Sequence, residues 1–513
     1  MSDYDVVVIG AGSNGLVVAG YLAKAGLKVL VLERMKKVGG MAGTEEPLPG
    51  YRINSGAVFM GGLRPEVEKD LELKKFGLRD TTLDPQSFDP FPENKYLVMW
   101  TDRDKTAKEI SRLSEKDAKA WYDYTDWWGQ MSELVDPLLM NSSPKLSDLT
   151  TLFSDPESED ALRRMFMSSK DFLDQYFESE ELKGILAWTG SDSRRGGPYM
   201  AGTAWTLGVA FFLWHAFRAP LGGMGTITQA MANAANHFGV KIMTDSPVKR
   251  ILIENKTAVG VELHDGSKIR SRIVISNAEA KTTFLKLVES GHLEDRFIKQ
   301  ISNFKTDGMS TKIVFALNEL PSFTALPSKG KGIQHVSFHI VPSADALERA
   351  WDEAKFGVPS KHPCSYNCFT TTADPSLAPP GKYILDSFFQ YTPYHLAGKK
   401  TWDDIKEDFA QTAIQSISEY APGFEKSIEH MWITTPLDME RKFGATGGCT
   451  YHGEMTLEQM LSFRPIPQCS DYRTPIKNLY LSSASCHPGG GVTGMPGHNA
   501  SELILEDWKS AKI

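Results

Sequence analysis

The stretch Asp5-Val-Val-Val-Ile-Gly-Ala-Gly-Ser-Asn-Gly15 constrains this chain more than any other part of it. Val6 to Ile9 form a β-branched run, the pattern of a strand buried on both faces. Gly10, Gly12 and Gly15 follow at the G-x-G-x-x-G spacing, Leu16 to Ala25 read as a helix ended by Gly26, and Leu27 to Leu32 as a second buried strand. Glu33 closes that strand about 20 residues past the glycines, where a carboxylate can hold a ribose 2′-hydroxyl. Gly10 permits the tight turn, Gly12 lets backbone approach a pyrophosphate, and Gly15 lets helix and strand pack closely. The helix N-terminus offers free N–H groups and a partial positive charge to the phosphates. The glycines alone could mark an ordinary turn. Strand, glycines, helix, strand and acid in that order read as a dinucleotide site.

At 513 residues the chain exceeds a single core and implies two or three domains. A net charge of −8 argues against a nucleic-acid partner, which calls for a basic face. The five cysteines are scattered, and Cys364 and Cys368 have the wrong spacing for a redox pair or zinc knuckle. They read as reduced thiols of a cytoplasmic protein, and no metal site is expected. The first strand begins near residue 5, which leaves no room before it for a secretory signal. Met200–Phe217 is the longest apolar run, but its glycines, threonines and His215 suit a buried helix better than a membrane span. Peripheral contact with a bilayer stays open.

Five segments follow from the pattern. Residues 1–63 form the first part of the dinucleotide domain, with Gly39-Gly40-Met41-Ala42 leaving the strand that carries Glu33. Residues 64–219 read as a mostly helical cap, rich in aromatics such as Trp121, Tyr124, Trp128 and Phe172 and placed to line an apolar pocket. Residues 220–290 return to the dinucleotide domain, with a helix opened by Gly222-Gly-Met-Gly225 and a β-meander turning at Asp265-Gly266. Residues 291–471 read as mixed α/β, with strands near Thr311–Leu317, Gln334–Val341, Tyr366–Thr372 and Tyr383–Gln390. Residues 472–513 add a strand, a glycine loop and a helix from about Pro496 to Lys509. Gly489, Gly491 and Gly494 repeat the glycine spacing, yet no second strand with an acidic end follows them. This piece is therefore not a second dinucleotide fold.

These motifs, with His487-Pro-Gly-Gly-Gly-Val-Thr-Gly494, resemble the FAD-dependent phytoene desaturase-like oxidoreductases, within the wider group of amine oxidases and glutathione reductase-type flavoproteins. Pro379-Pro-Gly-Lys-Tyr-Ile-Leu385, Gln390-Tyr-Thr-Pro-Tyr394 and Thr446-Gly-Gly-Cys-Thr-Tyr-His-Gly453 are similar to its carotenoid-ketolase and PYROXD-type branch. The resemblance implies an α/β fold: a discontinuous Rossmann-type FAD-binding domain with a mixed α/β substrate domain and a helical cap. It implies that Gly10, Gly12, Ser13, Asn14 and Gly15 hold the pyrophosphate and Glu33 the adenosine ribose. Arg34, Gly39, Gly40, Met41 and Ala42 would line the path toward the flavin, Val248 would clasp the adenine, and Gly491 and Val492 would face the isoalloxazine. Ser483 and Cys486 depart from the family pattern, which usually has Gly and Thr there. A covalent bond from Cys486 to the flavin is therefore also weighed.

A flavin oxidises by accepting hydride, so the protein need only position a C–H bond and exclude water. The expected activity is removal of hydride from a lipophilic small molecule, with oxygen, a quinone or another carrier as acceptor. Tyr451, His452 and His487 are the candidate catalytic residues, and His215 a weaker one. Amine oxidation, polyene isomerisation and flavin binding without turnover are the alternatives. Substrate identity and oligomeric state are not legible.

Overall fold

The computed structural model describes residues 3–148, 153–191, 194–213, 217–327 and 331–510. β1 (Tyr4–Ile9) is central in a parallel sheet, with Val6, Val7 and Val8 fully buried. It pairs on one side with β2 (Val29–Leu32), which continues to Lys241–Met243, and on the other with Lys268–Ser276, which continues to Leu479–Leu481. Strands separated by more than 200 residues of sequence thus lie side by side. The register Ile9↔Leu32 and Ile9↔Ser276 brings three strand ends level, which opens a crevice at their carboxyl edge. The first half of Lys268–Ser276 pairs antiparallel with Thr257–Leu263, and that strand with Val248–Glu254. Gly266, at φ +87°, makes the turn between Thr257–Leu263 and Lys268–Ser276.

α1 (Ser13–Lys24) packs between the helices Gly225–His237 and Met495–Lys509. The contact with the last helix is backbone-close: a Cβ on Gly497 would stand 2.4 Å from the Asn14 carbonyl oxygen.

The second sheet is antiparallel, in the order Ser337–Ile340, Cys364–Phe369, Tyr383–Gln390, Ser310–Leu317, Ile428–Thr434. Its ends differ from the sequence reading for local reasons. Ile333–His335 is a 3-10 turn that shortens one strand, and Thr370–Ala373 coils into a helical turn after another. Ile428–Thr434 is a half-buried edge strand with little alternation, so no sequence pattern marks it. The helix Trp402–Ser418 covers one face with Trp402, Phe409, Ala413 and Ile417.

Between these sheets the chain is largely helical, from the 25-residue helix Glu115–Leu139 to Thr203–Leu213. It also contains the hairpin Ser87–Pro90/Tyr96–Met99, whose Asp89 accepts a hydrogen bond from the His339 amide at 2.8 Å and so joins the second sheet. Tyr124, Trp128 and Phe172 are buried against one another. They belong to a core that the helical region shares with the second sheet and with Val58, Tyr366 and Tyr451, and none of them lines the main cavity, so the expectation that these aromatics line a pocket is corrected. The apolar run at 200–217 supplies only the 11-residue helix Thr203–Leu213, and His215 lies outside the described residues. Among those residues no helix is long and apolar enough to cross a membrane.

Candidate cofactor site

A cavity of about 590 Å³ runs along the carboxyl edge of the parallel sheet and ends against the second sheet. At its centre is the N-terminus of α1. Gly12 caps that helix with no side-chain hydrogen bond, and its first turn holds no acidic residue, so its free N–H groups and positive end face the cavity. The glycines are required by space. A Cβ on Gly15 would be 2.2 Å from the Gly10 carbonyl oxygen, and one on Gly39 would be 2.6 Å from Thr228 Oγ1. Gly10 and Gly39 also stand at φ +97° and +115°. The Gly39 amide donates to the Ala11 carbonyl at 2.9 Å, which ties the second glycine pair to the first turn.

The end of the cavity at Glu33 is held by backbone. Glu33 is buried, and its two oxygens accept from the Ala11 and Met35 amides, both at 2.8 Å. Each carboxylate oxygen retains a lone pair for a ribose hydroxyl. Ser246, Pro247, Val248 and His264 form the wall beyond Glu33. Arg34 lies on the rim and donates to the Lys442 carbonyl at 2.5 Å.

The opposite, inner end draws on six separate stretches. Val58 and Phe59 come from the first segment, Tyr366 and Phe388 from the second sheet, and Thr450, Tyr451 and His452 from a loop. Ala484 follows the last parallel strand, and Gly490, Gly491 and Val492 precede the last helix. That helix starts from Gly494 at φ +78° with no side-chain cap and no acid in its first turn, a second positive helix end near the cavity. Val492 sits at φ +58°, an uncommon conformation for a β-branched residue and a mark of a constrained loop. Phe59 stands 5.8 Å, centroid to centroid, from Tyr366.

Thirteen of the cofactor residues read from the sequence line this one cavity: Gly10, Gly12, Ser13, Asn14, Glu33, Arg34, Gly39, Gly40, Met41, Ala42, Val248, Gly491 and Val492. Gly15 lies behind the wall as a packing position. Asn277, Ala278 and Glu279 were missed, although they follow the parallel strand Lys268–Ser276. Their signal was available, since ligands of such sheets bind just past the strand ends. Asn277 Nδ2 would be 3.1 Å from a Cβ on Gly12. Glu279 accepts from Thr282 Oγ1 at 3.0 Å and from Thr446, while its Oε2 has no partner. Burial pushes its carboxyl up toward the neutral form. This orphaned acceptor and the unpartnered, buried Asn14 Oδ1 suit the hydroxyl or N–H donors of a dinucleotide, while the free N–H groups of α1 suit its phosphates.

The three candidate catalytic residues divide. Tyr451 and His452 lie on the cavity wall. Burial pushes the His452 imidazole down to about 4, so it is neutral at pH 7, and its Nδ1 has no partner. His487 is not on the wall; its Nε2 lies 3.0 Å from the Leu138 carbonyl, against the end of the long helix. Its place beside the glycine loop in sequence does not carry its ring into the cavity, so the catalytic assignment is withdrawn. Cys486 is likewise fully buried and off the wall, and burial pushes its thiol up to about 12, which argues against a covalent bond to the flavin. Among the described residues no group of His, Cys, Asp and Glu could hold a metal ion.

Known proteins resemble this chain in sequence and fold. The family profile described as "Flavin containing amine oxidoreductase" matches residues 15–497. The pyridine nucleotide-disulfide oxidoreductase domain-containing protein 2 of Rattus norvegicus is 36% identical, covering 99% of this chain and 94% of that protein. One of the limonene dehydrogenase subunits of Castellaniella defragrans is 28% identical over 98% and 94% of the two chains. A solved oxidoreductase from Methanosarcina mazei, 18% identical, matches with a TM-score of 0.63 over 98% of this chain and 99% of its own. Putrescine oxidase bound to putrescine, 16% identical, has a TM-score of 0.61 over 99% of each chain. The chain belongs to the flavin-containing amine oxidoreductase family, and FAD is the cofactor its cavity serves.

Proposed function

We propose that this protein removes hydride from a lipophilic small molecule held against FAD, as a dehydrogenase or desaturase, with oxygen, a quinone or another carrier as final acceptor. One observation carries the reading: at the inner end of the cavity Val58, Phe59, Tyr366 and Phe388 gather into an apolar and aromatic wall. Such a wall grips a hydrocarbon by area and contact, and excludes water from the reacting carbon. Bound FAD supplies the two-electron acceptor. Gly491 and Val492, at the helix end, would hold its reactive ring, and neutral His452 offers an unpartnered nitrogen for a proton at Nδ1.

Amine oxidation is the second reading, with Glu279, whose Oε2 has no partner, as the carboxylate of the same cavity that would hold an ammonium group. The similarity to a limonene dehydrogenase and to a phytoene desaturase of Fusarium fujikuroi, 27% identical, supports an apolar substrate. The test is anaerobic titration of the yellow holoprotein with terpenes, polyprenoids and amines, following loss of the visible flavin band. Bleaching by a hydrocarbon is expected. Bleaching by amines alone would overturn the reading.

A further inference from the structure

The most deeply buried cation of the described structure has no acidic partner. Arg464 is fully buried. Its Nη1 donates to the carbonyls of Glu454 at 2.9 Å and Gln459 at 3.3 Å. Its Nη2 donates to those of Tyr451 at 2.9 Å, Gly453 at 3.1 Å and Ala484 at 2.7 Å. Its Nε also meets the Ala484 carbonyl, at 3.1 Å. Every acceptor is main-chain. The Glu454 carboxylate turns elsewhere, its nearest cation being Arg195 at 3.9 Å.

The guanidinium therefore joins two segments that both reach the inner end of the cavity, the loop with Tyr451 and His452 and the turn at Ala484. A Cβ on Gly489, just before the glycines of the wall, would lie 3.6 Å from its Nε. Glu454, pushed up to about 7 by burial, is only partly ionised at pH 7 and faces Arg195, and the cysteines and histidines around the guanidinium carry no balancing charge. Cys449 and Cys486 are pushed up to about 12 by burial, and His452 and His487 down to about 4. A buried cation is costly unless something anionic faces it, and carbonyl dipoles meet only part of that need.

We propose that Arg464 is a positioning residue for the inner end of the cofactor cavity, and that its unneutralised charge favours the reduced, anionic form of the FAD bound there. The inference rests on the FAD assignment. It extends to a residue outside every motif in the sequence, and it separates two roles, a hydrogen-bonding clamp and a source of positive potential.

The experiment compares the wild-type, Arg464→Lys and Arg464→Gln holoenzymes by flavin content and by midpoint potential in a spectroelectrochemical titration. Arg464→Gln keeps a donor but loses the charge. Its preference for reduced over oxidised flavin should fall about tenfold, which is ~30 mV for a two-electron couple. Arg464→Lys keeps the charge and should recover most of that potential even where it holds less flavin. Wild-type potential in Arg464→Gln, or an equal fall in both variants, overturns the proposal and leaves a clamp alone. Should Arg464→Gln hold no flavin, sulfite decides on the other two proteins. Its addition at flavin N5 leaves negative charge on the ring, so both should bleach at similar concentrations, and a wild-type band unmoved by sulfite overturns the proposal. A wild-type protein that binds no flavin would instead remove the cofactor assignment itself.

Discussion

The two ends of the cavity are built on different principles. At the adenosine end the contacts come from regular structure: a helix N-terminus, glycines without room for a Cβ, and a carboxylate fixed by two backbone amides. At the inner end they come from loops and side chains gathered from six parts of the sequence, braced by a single arginine and surrounded by buried ionisable groups. The first kind of site is a rigid holder. The second can be tuned, because each buried charge there responds to its surroundings.

The largest effect should come from breaking the rigid end. Gly15→Ala places a Cβ 2.2 Å from the Gly10 oxygen, and the turn has no flexible side chain to yield there. Flavin per protein, read from the visible absorbance, should fall to near zero. A normally loaded variant would show that the holder is softer than its geometry.

The next effect sharpens the contrast through pH. Glu454 is buried, neither carboxylate oxygen has a hydrogen-bond partner, and burial pushes it up to about 7. A carboxyl raised in the fold stabilises most below its unfolded value near 4.3, and that contribution is lost as pH rises through about 7. Glu454→Gln should match the wild type at pH 4.5 and exceed it by up to ~3 kcal/mol at pH 8, in chemical denaturation of the holoprotein. Equal stability at both pH values would remove Glu454 from the account.

At the adenosine end, Glu33→Gln should leave the fold intact and weaken FAD by about ten- to a hundredfold, the loss of one or two charge-assisted hydrogen bonds. Fluorescence titration of the deflavinated protein measures this. An unchanged affinity would mean that Glu33 serves only the Ala11 and Met35 amides.

The smallest change in rate is expected at His487. His487→Gln can still donate to the Leu138 carbonyl, so substrate-driven flavin reduction should stay near wild type, whereas His452→Gln should slow it. Both imidazoles are pushed down to about 4, so each withdraws stability as pH falls from the ordinary histidine value near 6.5 toward 4. His487→Gln should flatten part of that acid limb. Equal rate losses in the two variants would return His487 to the active site.

How far each end was legible follows from the same contrast. Gly10 to Glu33 is local: one strand, one turn, one helix and one acid, all within 24 residues. The inner end depends on which strands lie side by side. Phe59, Tyr366 and Phe388 meet only because of sheet register and a loop path that no local pattern encodes. Gly491, Val492, Tyr451 and His452 were visible because glycine-rich loops stand out in sequence, yet His487, in the same run, points to the long helix instead. The aromatic helices misled for a related reason. Helical spacing shows that Tyr124 and Trp128 are buried, but not whether their neighbour is a ligand or the rest of their own core.

The strand Leu479–Leu481, beside Lys268–Ser276, carries a consequence for biosynthesis. A ribosome that has delivered the first 276 residues has made the glycine turn, Glu33 and the adenine wall, but must add about 200 more before the sheet's outer strand and the flavin loop arrive. At typical elongation rates that is ~10–40 s. During that interval the nascent chain holds a half-finished nucleotide pocket with an unpaired strand edge.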